Sequence, residues 1–188
     1  MKRLLLNKAL RILMITNMLV LTAGAMLGPI YALFVEKIGG DLLEASFAGG
    51  IFALAAGITT ILAGKYADKN KRNEWIIATG YGIMGIGFLM YMFVESIWFL
   101  FGIQILIGSA EAFYSPAFDS LYSKHLTPKK EGRQWGAYES LNYFSIAIGA
   151  VIGGIIATIF GFNALFIGMS GLCFLSAIYL FILKKGTV

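Results

Sequence analysis

Six long runs of apolar residues, separated by short polar breaks, make up almost the whole of this chain. A membrane-spanning helix needs about 20 mainly apolar residues, and every run reaches that length. The expected helices cover about 10–35, 45–66, 75–94, 97–122, 135–160 and 162–183. The breaks alternate in kind. Glu36–Glu44, Glu95–Ser96 and Gly161 are brief, whereas Lys65–Glu74 and Ser123–Gln134 are longer and basic. The pattern predicts an all-α membrane protein, a single domain over 1–188 with six transmembrane helices.

Charge supplies the orientation. Lys2, Arg3, Lys8 and Arg11 precede the first run, and Lys65, Lys69, Lys71 and Arg72 follow the second. Lys124, Lys129, Lys130 and Arg133 follow the fourth, and Lys184 and Lys185 close the chain, leaving only Lys37 for the opposite side. Cytoplasmic loops collect Lys and Arg, so both termini and both basic loops are expected in the cytoplasm. The first run, with Thr22-Ala23-Gly24-Ala25 inside it, imitates a secretory signal. It continues past Ala32, however, too far for a signal h-region.

Composition agrees. Of 188 residues, 59% are hydrophobic and 13% charged, about half the charge of a soluble domain. The net charge of +5 sits at segment ends, where it marks sidedness and not nucleic-acid binding. His125 is the only histidine, and no phosphate-cradling GxxxxGK occurs. No metal site, cofactor or catalytic constellation is expected, so the chain does not read as an enzyme. Cys173 stands alone, which excludes an intrachain disulfide. Gly80, Gly82, Gly85 and Gly87 superficially imitate a dinucleotide loop, but without a preceding strand they read as close helix packing. Trp75, Trp98 and Trp135 sit at span ends, as an interfacial belt does.

Polar residues inside the spans carry the candidate chemistry, because charge in hydrocarbon is costly. Glu111 lies near the middle of the fourth span. Helical spacing places Gln104, Gly108, Glu111 and Ser115 on one face, beside Phe113, Tyr114 and Pro116. Glu111 reads as a proton or cation carrier, or as the counter-ion of a cationic solute. The competing reading is a protonated carboxyl bonded to a neighbouring helix. Asn17, Gly24, Gly28 and Tyr31 share a face of the first span, where Pro29 breaks the hydrogen-bond ladder. Asn142, Ser145 and Gly149 share one of the fifth. These either line a cavity or tie helices together.

Gly64-x-x-x-Asp68-Lys69-x-x-Arg72, between the second and third spans, resembles the signature loop of the major facilitator superfamily, without the second Gly usual in its basic cluster. Ser145-x-x-x-Gly149-Ala150-x-x-Gly153-Gly154 resembles that family's antiporter motif, with Ser for the first Gly and Ala for Pro. In the fourth span, Gln104 stands where the family has an Arg four residues before Gly108. The similarity covers essentially the whole chain but only the N-terminal six-helix half of a member. It implies alternating-access transport of a small organic solute, and by the fifth-span motif proton-coupled efflux. It also implies a prokaryotic inner (plasma) membrane as the location and the lipid bilayer as a partner. A parallel homodimer would supply the missing half, with Gly149 and Gly153 packed toward the second helix of that half. Asp68 would then face the partner's fifth helix near Arg133–Gly136, with Arg72 bridging Asp68 and Asp119. The alternative is a fragment, or a split or non-transporting module needing a different chain. Gln104, Glu111, Asn17, Tyr31, Asn142 and Tyr114 are the expected proton- or solute-binding candidates. Gly64, Asp68, Lys69, Arg72 and Asp119 form the expected gate.

Overall fold

The computed structural model describes residues 6–69 and 72–183. Lys2, Arg3, Lys71, Lys184 and Lys185 of the charge pattern, and Asn70 of the signature loop, lie outside the described residues.

Helix α1 (Lys8–Leu27) begins where the Asn7 side chain accepts from Leu10 N at 2.9 Å, an N-cap. It tightens into a 3-10 turn at Gly28–Ile30 and resumes as α2 (Tyr31–Lys37). Pro29 lacks the N–H that a continuous helix would use there. Gly39, at φ 86°, turns the chain. Asp41 and Glu44 then cap α3 (Leu42–Lys69) reciprocally, each backbone N–H donating to the other's carboxylate at 2.9 Å. Helix α4 (Asn73–Met90) ends in a 3-10 turn at Tyr91–Phe93. Ser96 caps α5 (Ile97–Lys124), which contains Pro116, and α6 runs Glu131–Ile182.

Among the described residues, five helical runs are long and apolar enough to cross a membrane: Lys8–Lys37, Leu42–Lys69, Asn73–Phe93, Ile97–Lys124 and Glu131–Ile182. The last has 52 residues, which at 1.5 Å each would extend about 78 Å, far beyond a hydrocarbon core of about 30 Å. It is broken at Gly161, whose φ of 82° and ψ of 173° lie outside the helical region and suit glycine alone. Residues on both sides of the break meet the same turns of α1. Before it, Gly149 lies against Thr22 and Gly153 against Met26; after it, Gly168 nears Met26 and Ser176 donates to Thr16 O at 3.0 Å. The two arms therefore run antiparallel to each other along α1, on either side of Gly161.

The core joins α1, α4, α5 and the second arm of α6 through Leu10, Leu13, Tyr81, Phe118, Tyr122, Phe166 and Met169. Glycines set the closest approaches. A methyl added to Gly149 would stand 2.6 Å from Thr22 O, and one added to Gly153 would overlap the Met26 backbone. This corrects the expected partner of that motif. Within the chain both glycines pack on α1, because only hydrogen leaves room for its backbone. Gly154, beside them, faces open space. In α4, Gly80, Gly85 and Gly87 admit Tyr114, Phe174 and Ile107, whereas Gly82 touches nothing.

Helix α3 differs from the rest. Its buried residues are Ala45, Ala48, Ala63 and Ala67, and it leans on α5. There the Phe52 carbonyl rests on Gly108, and Tyr66 stacks on Phe113 at 6.0 Å.

Gly153→Ala should destabilise the fold by about 1–3 kcal/mol through overpacking. Gly82→Ala should stay within about 0.5 kcal/mol of the parent. Thermal unfolding of the two purified variants in detergent, followed by circular dichroism, checks the contrast.

Candidate functional site

A cavity of about 490 Å³ opens between α1, α3, α4, α5 and α6. The α1 residues Val20, Leu21, Gly24 and Ala25 form one wall, running into the 3-10 turn at Gly28 and then Tyr31. Phe52 of α3, Met84 and Phe88 of α4, and Met169 of α6 add apolar surface. Its rim carries the exposed Gly24, Gly28, Gly49 and Ile146. Its size lies within the range of small-molecule sites.

Four of the six expected binding residues reach this cavity: Tyr31, Gln104, Glu111 and Tyr114. Gln104 Nε2 lies 2.5 Å from the Tyr31 hydroxyl and 3.1 Å from that of Tyr91. This bonding joins α5 to the chain on both 3-10 turns. Tyr114 packs edge-on against Tyr81, ring centres 4.7 Å apart, and covers Gly80. Glu111 lies two turns along α5 from Gln104 and is the only acid among the lining residues, which include no Lys, Arg or His. Gly108, on the same face, is covered by Phe52, and Ser115 is not among the lining residues.

Asn17 and Asn142 lie elsewhere. Asn17 is 3% exposed, accepts from the Tyr81 hydroxyl at 3.1 Å and donates to that of Tyr138 at 3.0 Å. It thus ties α1 to α4 and α6 below the cavity. Asn142 is one turn beyond Tyr138, and its Oδ1 is buried without a partner among the described residues. Ser145, another part of the expected packing motif, donates to Leu141 O at 2.8 Å within its own helix.

At the end of α3, Asp68 and Lys69 are exposed, and a methyl added to Gly64 would meet no neighbour within 4 Å. The Arg72 guanidinium lies 5.2 Å from the Trp75 ring centre. Asp119 is exposed near the same end of α5.

Two features escaped the sequence reading. Tyr91 is polar, yet it sits in an otherwise apolar run, and that contrast was its only signal. The other is a face of α3 on which Phe47, Leu54 and Ile61 alternate with Gly50, Gly57 and Gly64 before Asp68. These spacings of three and four are those of a helix–helix seam. Leu54 and Ile61 are 66% and 67% exposed, and a methyl added to any of the three glycines would meet no neighbour within 4 Å. The repeat was readable as glycines seven residues apart.

A family model described as Major Facilitator Superfamily matches residues 13–187. Among curated relatives, the "Multidrug resistance protein MdtG" of Proteus mirabilis is 27% identical over 181 residues, 92% of this chain and 44% of that protein. The protein of the same name from Salmonella typhimurium is 27% identical over 172 residues, 89% of this chain and 42% of its own length. The "Uncharacterized MFS-type transporter MJ1560" of Methanocaldococcus jannaschii is 29% identical over 174 residues, 92% of this chain and 45% of its own. The chain thus spans less than half the length of the curated relatives it matches.

Asn17→Leu should lower stability by about 1–3 kcal/mol, because the buried Tyr81 hydroxyl loses its acceptor. Tyr31→Phe, at a half-buried site, should cost less than about 1 kcal/mol. Denaturant unfolding in mixed micelles separates the two.

Proposed function

Since the chain belongs to the major facilitator superfamily, we propose that it is one half of an alternating-access transporter for small organic solutes, completed by a parallel second copy. The single observation that carries this reading is the α3 seam. A helix that buries only alanines against its own bundle and exposes Phe47, Leu54 and Ile61 between glycines suits contact with another helix. The cavity rim of Gly24, Gly28, Gly49 and Ile146 lies open, where a second unit would close it.

In this reading the antiparallel arms on either side of Gly161 are the fifth and sixth crossings of one six-helix domain over 1–188. The basic loops and both termini face the cytoplasm, and the protein resides in a prokaryotic inner membrane. The cytoplasmic latch comprises Gly64, Asp68, Lys69, Arg72 and Asp119, with Asp68 near the partner's α6 N-terminus, whose dipole favours a carboxylate. Ser145, Gly149, Gly153 and Gly154 form the rigid spine behind the cavity, and Asn17 and Asn142 brace its floor. Glu111 carries the coupled proton or balances a cationic solute, and the direction is efflux. That direction is consistent with the name "Multidrug resistance protein" carried by the MdtG relatives. No chemical conversion is involved. The short span relative to those relatives also supports a second reading, in which a different chain supplies the other half.

Cys pairs placed at Asp68 and Gly136 should cross-link between chains in native membranes; the buried Cys173 gives little background. Failure across several neighbouring pairs, with flux appearing only when another gene product is supplied, would move the assignment to the second reading.

In proteoliposomes, Glu111→Gln should slow pH-gradient-driven uptake by at least about tenfold while leaving solute exchange at symmetric pH. Equal loss of both would place Glu111 in binding and not in coupling.

A further inference from the structure

The chemistry of the solute is written in the hydrogen-bond count at Gln104. The amide carries two N–H protons, and the hydroxyls of Tyr31 and Tyr91 carry one O–H each. As placed, Nε2 donates to both hydroxyl oxygens, which leaves both O–H protons over. If the amide is turned, Oε1 accepts both O–H protons and both N–H protons are left over. Amide orientation is inferred from such networks, but here the count does not depend on it. Two of the four protons find no acceptor inside the triad.

All three residues line the cavity. Gln104 is 6% exposed and Tyr91 4%, whereas Tyr31 is half-buried, so a surplus donor at Gln104 or Tyr91 faces the cavity and not bulk water, and leaving it unmet is costly. An acceptor entering the cavity would relieve it. The charge of that acceptor is also constrained. Glu111 shares the cavity about 10 Å along the same helix, and no cation is among the lining residues. An anion would meet repulsion and low dielectric with only neutral donors, and no cation among the lining residues, to offset them.

We propose that Tyr31, Tyr91 and Gln104 form a recognition site for an uncharged acceptor oxygen, so that the solutes are apolar molecules bearing an amide, ester or ketone carbonyl. This rests on the reading that the cavity holds the transported solute. The walls of Phe52, Phe88 and Met84 suit the apolar remainder. Glu111 leaves room for an additional cationic group but is not required by the carbonyl site.

Two probes test it on the full chain in nanodiscs: N,N-diethylbenzamide, ¹³C-labelled at the carbonyl, and N,N-diethylbenzylamine, which lacks the oxygen and is a cation at neutral pH. Infrared difference spectra should show the bound carbonyl stretch below its position in lipid. Tyr31→Phe/Tyr91→Phe/Gln104→Leu, which removes all four protons, should weaken benzamide binding about tenfold and abolish the shift, while benzylamine binding changes less than about twofold. Unchanged benzamide affinity and an unshifted band, with benzylamine still bound, would overturn the carbonyl site and leave the cavity reading standing. If neither probe binds the parent protein, the cavity reading falls and the carbonyl site with it. Should that triple variant lose both probes, Tyr31→Phe/Gln104→Leu decides, since it leaves only the Tyr91 proton: selective weakening of the benzamide supports the site, and full retention overturns it.

Discussion

The backbone of α1 between Thr22 and Met26 lies directly against Gly149 and Gly153 of α6, and the rest of the bundle depends on that contact. In lipid, helices gain little from hiding apolar surface, because the hydrocarbon is as apolar as the side chains. Dispersion between closely fitted surfaces and a few interhelical hydrogen bonds remain to hold them together. Here both occur on α1. The glycines admit its backbone, Asn17 and the Thr16 carbonyl bond to three other side chains, and the arms of α6 grip it from two sides. With those faces engaged, Gly24, Gly28 and Tyr31 are left to face the cavity.

The cavity inherits its character from that arrangement. Pro29 interrupts α1 at the depth where Tyr31 must reach Gln104. The matching turn at Tyr91–Phe93 ends α4 where a second hydroxyl reaches the same amide. Two local breaks of helix, each with its own cause, thus bring three polar side chains together in an apolar setting. Glu111 stands apart, with no opposite charge among the lining residues. A carboxyl so placed responds strongly to the arrival of a proton or a cation. Helix α3 closes the side wall along α5 with alanines, a carbonyl-to-glycine contact and the Tyr66–Phe113 stack, and leaves its opposite face exposed.

The spans were legible in the sequence because twenty apolar residues bounded by Lys, Arg or Glu have few other uses. Observed boundaries such as Leu42–Lys69 and Ile97–Lys124 extend the expected ones by a few residues into polar flanks. A helix continues there while its backbone bonds last, beyond the point where hydropathy fails. Gly161 was legible as a connection, being a lone glycine between two apolar runs. Faces were legible too, since a spacing of three and four puts Gln104 and Glu111 together. Partners were not. Helical periodicity says which residues point the same way but not which neighbour they meet. Spacing alone thus leaves Gly149 and Gly153 free to face another half, although α1 is at hand, and does not bring Asn17 to Tyr81 and Tyr138. The α3 repeat was overlooked because glycine reads as flexibility until a neighbour, or the lack of one, gives it meaning.

The union of α1 with α6 also sets the order in which the protein can be made. Thr22 leaves the ribosome some 127 residues before Gly149, on the order of ten seconds at typical synthesis rates. During that interval α3, α4 and α5 are inserted and can associate, while α1 has neither arm to grip it and Asn17 lacks its Tyr138 partner. Helix α1 enters the membrane before its partners and is therefore among the last to settle. Biogenesis is exposed to error at that waiting stage, when a polar side chain and an unclad stretch of backbone stand open to whatever else the insertion machinery is releasing.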